Sequence, residues 1–210
     1  MLAFAGMSVF DAINHSMSTM ASGGFSTKNE SLAYWNNSPM IQYTVTLFMF
    51  LAGTNFVLIY FGLKGKLERI WQDNEFRWYV GFVTLFTLIT FIGIYTNVKL
   101  GSTSVEHPQI FGAFESSFRH ALFQVVAIIT TTGFVTADFA GWTPFLTMLF
   151  FGLFFLGGSS GSTSGGVKVI RHLVMIKNAL LEFRRALHPN AIVHYTLTMS
   201  PFNKAWSIES

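Results

Sequence analysis

Long uncharged apolar stretches constrain this chain more than any other feature of its sequence. Residues 40–63 and 78–98 contain no Asp, Glu, Lys or Arg. A helix needs roughly 20 apolar residues to cross a bilayer core of about 30 Å, so each stretch predicts one membrane-spanning helix. Trp78 and Tyr95 lie near the two ends of the second stretch, which is typical of side chains at the headgroup level. The sequence therefore predicts an all-α integral membrane protein.

Composition supports this class and excludes several others. Charged residues make up 11% of the 210 residues and hydrophobic residues 51%, whereas about 25% charge is usual in soluble domains. A chain so rich in aromatic residues and so poor in charge is not expected to be disordered. The absence of cysteine excludes disulfide scaffolds, thiolate metal sites and cysteine nucleophiles. The histidines lack an H-x-x-x-H spacing, and the net charge is only +3, so no cofactor, resident metal or nucleic-acid partner is expected.

A third uncharged stretch, residues 143–167, is apolar only in its first half. Its second half, residues 157–166, reads GGSSGSTSGG, which a lipid-facing helix would not tolerate. Irregular backbone at membrane depth occurs only where it is buried in protein or lines a water-filled cavity. Two shorter apolar stretches, residues 7–20 and 118–131, cannot cross a bilayer. We expect them to form re-entrant half-helices.

Basic residues cluster on one side of the predicted spans. The residues on that side are Lys64, Lys66, Arg69, Arg77, Lys168, Arg171, Lys177, Arg184 and Arg185. The opposite side carries Lys28, Lys99 and Arg119. By the positive-inside bias, the loop 65–77 and the segment after residue 168 are predicted to be cytoplasmic, so the half-helices enter from the outside. No basic leader or cleavage site follows Met1, which indicates an internal start.

The sequence also contains an internal repeat. The equivalent pairs at a spacing of 109 are Ser22 and Thr131, Gly24 and Gly133, Phe25 and Phe134, and Thr27 and Thr136. At a spacing of 105 the pairs are Pro39 and Pro144, Phe50 and Phe155, Leu51 and Leu156, and Gly53 and Gly158. Each unit predicts a half-helix, a Gly-Phe turn, a loop, a proline and a spanning helix.

This unit has the chemistry of an ion pore. A half-helix that ends inside the membrane leaves its last carbonyls unpaired and its C-terminus partly negative, which favours a cation. A Gly-containing strand after it can aim carbonyls at a dehydrated ion, helped by Ser or Thr hydroxyls and a wedging aromatic ring. Alternatively, Gly24 and Gly133 are only turn residues of re-entrant hairpins. Two copies in matched hairpins favour the pore.

Four segments carry a family resemblance, at residues 20–29, 38–56, 129–139 and 152–173. They resemble the membrane subunit of bacterial Trk/Ktr potassium uptake systems, most closely the Trk branch. The resemblance implies helix–pore-loop–helix repeats of a K⁺ channel-like architecture, with K⁺ transport and no enzymatic activity. It identifies the chain as a fragment of a longer protein. Residues 1–70 would be a partial second repeat, 71–190 the third repeat, and 191–210 a cytoplasmic segment leading to a fourth.

The same resemblance assigns residues and partners. The K⁺-binding filter would comprise Ser22, Gly23, Gly24, Thr131, Thr132 and Gly133. A movable gate would comprise Gly157, Gly158, Ser159, Ser160, Gly161, Ser162, Thr163, Ser164, Gly165 and Gly166. The resemblance further implies a multi-pass homodimer in the bacterial cytoplasmic (inner) membrane. A cytoplasmic nucleotide-binding regulatory subunit of the RCK/KTN, TrkA-like type would be its partner. Close packing of small residues is the competing interpretation of the gate segment.

One enzymatic alternative concerns the same glycine-rich segment. Residues 158–161 match the G-x-S-G motif that resembles rhomboid intramembrane proteases, with Ser160 as nucleophile. Such an enzyme needs a general base on another helix at membrane depth. No histidine lies in residues 40–63 or 78–98, and His15 and His172 fall outside these spans. Permeation is therefore the favoured function.

Overall fold

The computed structural model describes residues 1–97 and 107–187, so that Lys99 and the segment 191–210 lie outside the described residues. The α-helices are α1 (Val9–Met20), α2 (Pro39–Ala52), α3 (Phe56–Leu63), α4 (Leu67–Gln72), α5 (Asn74–Asn97), α6 (Ala113–Ile129), α7 (Pro144–Leu153) and α8 (Val169–Leu187). Two short 3₁₀ helices, Ser31–Trp35 and Phe139–Gly141, precede α2 and α7. The described residues contain no β-strand, only an isolated bridge between Leu156 and Val167.

The predicted continuous span at residues 40–63 is wrong. Helix α2 ends at Ala52, α3 begins at Phe56, and the two helix axes differ in direction by 112°. The amide oxygen of Asn55 accepts a hydrogen bond from the N–H of Val57 (2.9 Å) and so starts a new helix. The carbonyl of Gly53 is bonded instead to the N–H of Ser159 (2.9 Å).

Helix α5 agrees with the predicted span at residues 78–98. It is the one helix within the described residues that is long and apolar enough to cross a membrane, and the bent pair α2–α3 would be a second. Its main neighbour is α6, which also packs against α2. Residues 123–129 of α6 are all buried, so this helix forms the centre of the described structure.

The half-helices are present, and α6 begins five residues before the predicted start at residue 118. The additional turn includes Glu115 and, one turn later, Arg119, whose side chains form a salt bridge (2.9 Å). An ion pair at this spacing stabilises a helix although it lowers the hydropathy of the segment. Hydropathy alone therefore placed the start of the helix too late.

The glycine-rich segment interrupts a helix as predicted. Helix α7 begins at Pro144, after the side chain of Thr143 accepts a bond from the N–H of Leu146 (3.5 Å). It ends at Leu153, and regular helix resumes only at Val169. Residues 157–166 between them form no helix.

Candidate functional site

Helix α1 ends in a specific hydrogen-bonded turn. The N–H of Ser22 donates to the carbonyl of Thr19 (3.2 Å), and the N–H of Gly23 donates to the carbonyl of Ser18 (2.8 Å). These two bonds define the Schellman motif, a common end of α-helices. The residue with left-handed backbone is Ser22, whose φ is +51°. Glycine is the usual residue at this position.

Helix α6 ends in the same turn. The N–H of Thr131 donates to the carbonyl of Ile128 (2.9 Å), and the N–H of Thr132 donates to the carbonyl of Ala127 (2.9 Å). Thr131 has a φ of +54°, which is uncommon for a β-branched residue. Each of these residues lies 109 positions after its counterpart in α1. The sequence repeat is therefore also a repeat of backbone geometry.

These turns correct one expectation about the half-helices. Their last carbonyls were predicted to be unpaired, but two in each helix accept the bonds of the turn, such as those of Thr19 and Ile128. The partial negative charge remains, because it arises from the aligned peptide dipoles of the helix. Fewer free carbonyls than predicted therefore surround each helix end.

The two extended segments that follow the half-helices, residues 22–27 and 131–136, lie side by side and are called the two strands below, although neither is part of a β-sheet. Gly24 and Gly133 both have left-handed backbone, with φ values of +68° and +77°. A Cβ atom at Gly24 would lie 1.9 Å from the carbonyl oxygen of Thr132, whereas one at Gly133 would meet nothing within 4 Å. Glycine is therefore required at position 24 by space and backbone together, and at position 133 by backbone alone.

The predicted aromatic wedge occurs in one strand of the two. Phe134 is 1% exposed, and its ring stacks on that of His15 in α1, with 5.8 Å between centroids. Phe25, its counterpart in the first unit, is 82% exposed. The wedge thus forms between the two units, and the first unit does not provide one for itself.

Each half-helix is also bonded to the strand that follows it. The carboxylate of Asp11 accepts a bond from the hydroxyl of Thr27 (2.6 Å), and Nδ1 of His120 lies 3.0 Å from the hydroxyl of Thr136. The second pair lies 109 positions after the first, so that Asp11 corresponds to His120 and Thr27 to Thr136. Sequence reasoning missed Asp11 and His120 because they differ in residue type, although the alignment of the repeat places them together.

The glycine-rich segment 157–166, hereafter the loop, contacts both strands. The hydroxyls of Ser22 and Thr163 lie 2.9 Å apart. The hydroxyl of Thr131 accepts a bond from the N–H of Gly165 (2.5 Å). Ser22 and Thr131 are equivalent in the repeat, so the loop is bonded to the same position of each unit.

The loop also closes the break between α2 and α3. The N–H of Thr163 donates to the carbonyl of Ala52 (3.3 Å), and the carbonyl of Gly161 accepts from the N–H of Phe56 (3.2 Å). Together with the bond between Ser159 and Gly53, these contacts satisfy backbone groups that the broken helix leaves free. The loop is thus fixed against the strands by hydrogen bonds of its backbone and hydroxyl groups.

Lys168 holds the C-terminal part of the loop. Its ammonium group donates to the carbonyl of Ser164 and lies 3.3 Å from the hydroxyl of that residue. Burial lowers the pKa of Lys168, and the negative charge of Glu75 opposes this shift. Lys168 lies one residue before α8.

Glu75 is a contact of the loop that sequence reasoning missed. Its carboxylate accepts bonds from the N–H and the hydroxyl of Ser160, both 2.6 Å long. The hydroxyl proposed as a nucleophile is thus bonded to a carboxylate and not to an imidazole. In addition, residues 1–97 and 107–187 contain no group of three acidic or histidine side chains that could hold a metal ion.

Comparisons with known proteins agree with this geometry. Residues 4–209 match the TrkH family, described as a cation transport protein. The Trk system potassium uptake protein TrkH of Salmonella typhimurium is 40% identical over 191 residues, which cover 90% of this chain and 37% of that protein. TrkG of Escherichia coli K12, another Trk system potassium uptake protein, is 35% identical, and the match covers 90% of this chain and 36% of TrkG. The chain therefore spans little more than a third of these relatives.

A solved structure is similar as well. The crystal structure of the potassium transporter TrkH from Vibrio parahaemolyticus has a TM-score of 0.80 and 37% identity, and the match covers 94% of this chain and 40% of that one. This similarity confirms the predicted all-α architecture of helix–pore-loop–helix repeats. A family of cation transport proteins gives the protease interpretation of Ser160 no support. The chain belongs to the TrkH family of cation transport proteins.

Proposed function

We propose that this chain forms part of a membrane pathway for K⁺ uptake. The observation that carries the proposal is the repeated unit of a half-helix, a Schellman turn and a glycine strand, with the same two turn bonds in both copies. A helix C-terminus aimed at a glycine strand favours a dehydrated cation. The relatives are named potassium uptake proteins, which supports K⁺ as the transported ion.

Within this pathway, two strands form adjacent walls of the selectivity filter. The filter residues are Ser22, Gly23, Gly24, Thr131, Thr132 and Gly133. The backbone carbonyls are the main ligands, because the hydroxyl of Thr132 is buried and lies 2.8 Å from that of Thr130. The loop 157–166 acts as the gate, since it is bonded to both strands at Ser22 and Thr131.

We further propose the setting of this pathway, which membership of the TrkH family supports. In this proposal the protein is a multi-pass homodimer of the bacterial cytoplasmic membrane, with the loop 65–77 and α8 on the cytoplasmic side. There it binds a nucleotide-binding regulatory subunit, the second component of a Trk system such as those for which the relatives are named. We also propose repeat boundaries near residues 70 and 190, with α5 as the first helix of the third repeat.

Complementation tests the function directly. A bacterial strain deficient in K⁺ uptake receives the gene that encodes this chain and grows on low-K⁺ medium. Gly133→Asp is expected to abolish growth, because it places a side chain and a charge beside the ion path, whereas Ser160→Ala retains growth. Gly65→Asp is the matched control, since Gly65 also has a left-handed φ (+73°) and open surroundings. Growth that is unaffected by Gly133→Asp in a well-expressed protein contradicts the proposal.

A further inference from the structure

The bond between Glu75 and Ser160 joins the loop to a distant helix. Glu75 lies in the first turn of α5 and is only 9% exposed. Both of its carboxylate oxygens are used, one by the N–H and one by the hydroxyl of Ser160. Hydrogen bonds to a carboxylate are roughly twice as strong as those between neutral groups. This is the one contact of the loop with α5 that uses a charged side chain of that helix within the described residues.

The position of Glu75 is itself well defined. The carboxylate of Asp73 caps the start of α5 by accepting a bond from the N–H of Phe76 (2.8 Å). The ring of Phe76 packs edge-on against that of Trp71 in α4, with 5.9 Å between centroids. Glu75 is therefore fixed to the junction between α4 and α5, at the side of the molecule that is predicted to face the cytoplasm.

The loop lies between Glu75 and the strands. Gly161, directly after Ser160, has a φ of +71°, and a Cβ atom at this position would lie 3.3 Å from the side-chain oxygen of Asn55. Beyond it, Thr163 reaches Ser22 and Gly165 reaches Thr131. One end of this span is thus bonded to a carboxylate on α5 and the other to both filter strands. A displacement of the α4–α5 junction would act on the loop at Ser160.

We propose that Glu75 is a positioning residue that holds the loop against the filter strands in the non-conducting state. The inference rests on the proposed gate function of the loop. Removal of the carboxylate frees both donors of Ser160 and weakens the attachment of the loop at that end. The loop then leaves the strands more often, and ion flux increases. Selectivity is unchanged, because Glu75 contacts neither strand.

The test uses ⁸⁶Rb⁺ uptake into liposomes that contain the purified protein without a regulatory subunit. Glu75→Gln keeps the shape of the side chain but removes its negative charge, so that both contacts with Ser160 become hydrogen bonds between neutral groups. Because hydrogen bonds of a charged group are roughly twice as strong as neutral ones, loss of the charge corresponds to a shift of about tenfold in the equilibrium of the loop. We expect flux to rise at least about threefold. Glu68→Gln, an exposed carboxylate of α4, is the matched control and leaves flux unchanged.

Two further measurements separate positioning from a merely structural role. Ser160→Ala removes the hydroxyl bond and keeps the N–H bond, so we expect a smaller increase in flux and a non-additive double variant with Glu75→Gln. Because the chain has no cysteine, Ser162→Cys at a half-buried position inside the loop reports its accessibility. Alkylation of this cysteine is expected to be faster in Glu75→Gln, with the K⁺/Na⁺ ratio of uptake unchanged.

The outcomes distinguish this inference from the proposed function. If Gly133→Asp abolishes uptake but flux is unchanged or lower in both Glu75→Gln and Ser160→Ala, with unchanged alkylation, the proposed role of Glu75 is wrong and the proposed function stands. If Gly133→Asp has no effect either, the proposed function itself is wrong. If Glu75→Gln does not fold, the flux and alkylation of Ser160→Ala decide the question alone.

Discussion

At the scale of single residues, Gly24 and Gly133 of the proposed filter are equivalent in sequence but not in surroundings. A methyl group at Gly24 would overlap the carbonyl of Thr132, whereas one at Gly133 would point into open space. Left-handed backbone costs a residue with a Cβ about 1–2 kcal/mol at either position. Overlap with a backbone atom cannot be relieved by a change of rotamer, so the cost at Gly24 is much larger.

We therefore expect Gly24→Ala to impair folding and stability and Gly133→Ala to impair ion selectivity. Gly24→Ala lowers the yield and melting temperature of the purified protein. Gly133→Ala yields folded protein whose uptake discriminates less between K⁺ and Na⁺, since the strand no longer keeps its backbone conformation. Thermal unfolding and competitive ⁸⁶Rb⁺ uptake measure the two effects. Gly65→Ala is the control, because it has the same cost in backbone free energy and should change neither selectivity nor uptake. Equal K⁺/Na⁺ selectivity of Gly133→Ala and Gly65→Ala would contradict the filter assignment.

Ser22 and Thr131 occupy positions where the backbone conformation would cost glycine less free energy. Both have left-handed backbone, and threonine is particularly unfavourable there. Their hydroxyls, however, are the groups that bind the loop. Unfavourable backbone conformations persist where the surrounding structure holds them, and they concentrate at functional sites. The retained side chains therefore indicate that contact with the loop outweighs the conformational cost.

At the scale of elements, the loop has a low helix propensity but is held in place by several hydrogen bonds. Five of its ten residues are glycine and the others are Ser or Thr. Each glycine lowers helix stability by roughly 1 kcal/mol relative to alanine. Its ends already lie together, because the N–H of Gly157 donates to the carbonyl of Val167 (2.9 Å). The segment between these ends can thus move without separating α7 from α8.

Deletion of residues 159–164 tests this view of the loop. The deletion removes the contacts with Ser22 and Glu75 and joins points that are close in space. We expect higher K⁺ flux that depends less on the regulatory subunit, measured as ⁸⁶Rb⁺ uptake into liposomes with and without that subunit. If the segment serves instead for close helix packing, the deletion gives poor expression and no flux. A stable deletion protein that conducts no faster than the parent contradicts the gate.

Several elements were predictable from the sequence because a local signal marks them. The half-helices follow from apolar stretches that are too short to cross, and the interruption after α7 follows from a run of glycine and serine. The break between α2 and α3 was missed, because Gly53 and Asn55 are neutral and do not lower hydropathy enough. Glu75 was missed for another reason. It is 85 residues from Ser160 in sequence, and no spacing rule connects two such positions.

At the scale of the whole molecule, one buried arginine joins the two units. Arg119 of α6 is 1% exposed and is bonded to Glu115 in its own helix and to Gln42 in α2. Gln42 is bonded in turn to Asn36, whose amide donates to the carbonyl of Thr136 (3.2 Å). This network therefore connects α2, α6 and the segment that follows the second filter strand.

We expect Arg119→Met to destabilise the protein strongly. Removal of one partner from a buried ion pair costs about 3–5 kcal/mol, because the remaining charged and polar groups stay buried without partners. Thermal unfolding of the purified protein should show a large decrease in melting temperature and a lower yield. Arg77→Met, which replaces an exposed arginine, is the control and should leave the melting temperature unchanged. Similar melting temperatures of the two variants would show that the network is not stabilising.

The contact between Phe134 and His15 has a direction. The strand of the second unit supplies the ring, and the half-helix of the first unit supplies the surface that receives it. Such a head-to-tail contact is heterologous, and repetition of a heterologous contact produces a closed ring when its rotation completes a full circle. Phe25 is the corresponding ring of the first unit and is exposed in the described structure, so it is free to enter a further unit of the same kind. A further unit that packs on Phe25 in the same way would therefore continue the direction set by the contact between Phe134 and His15.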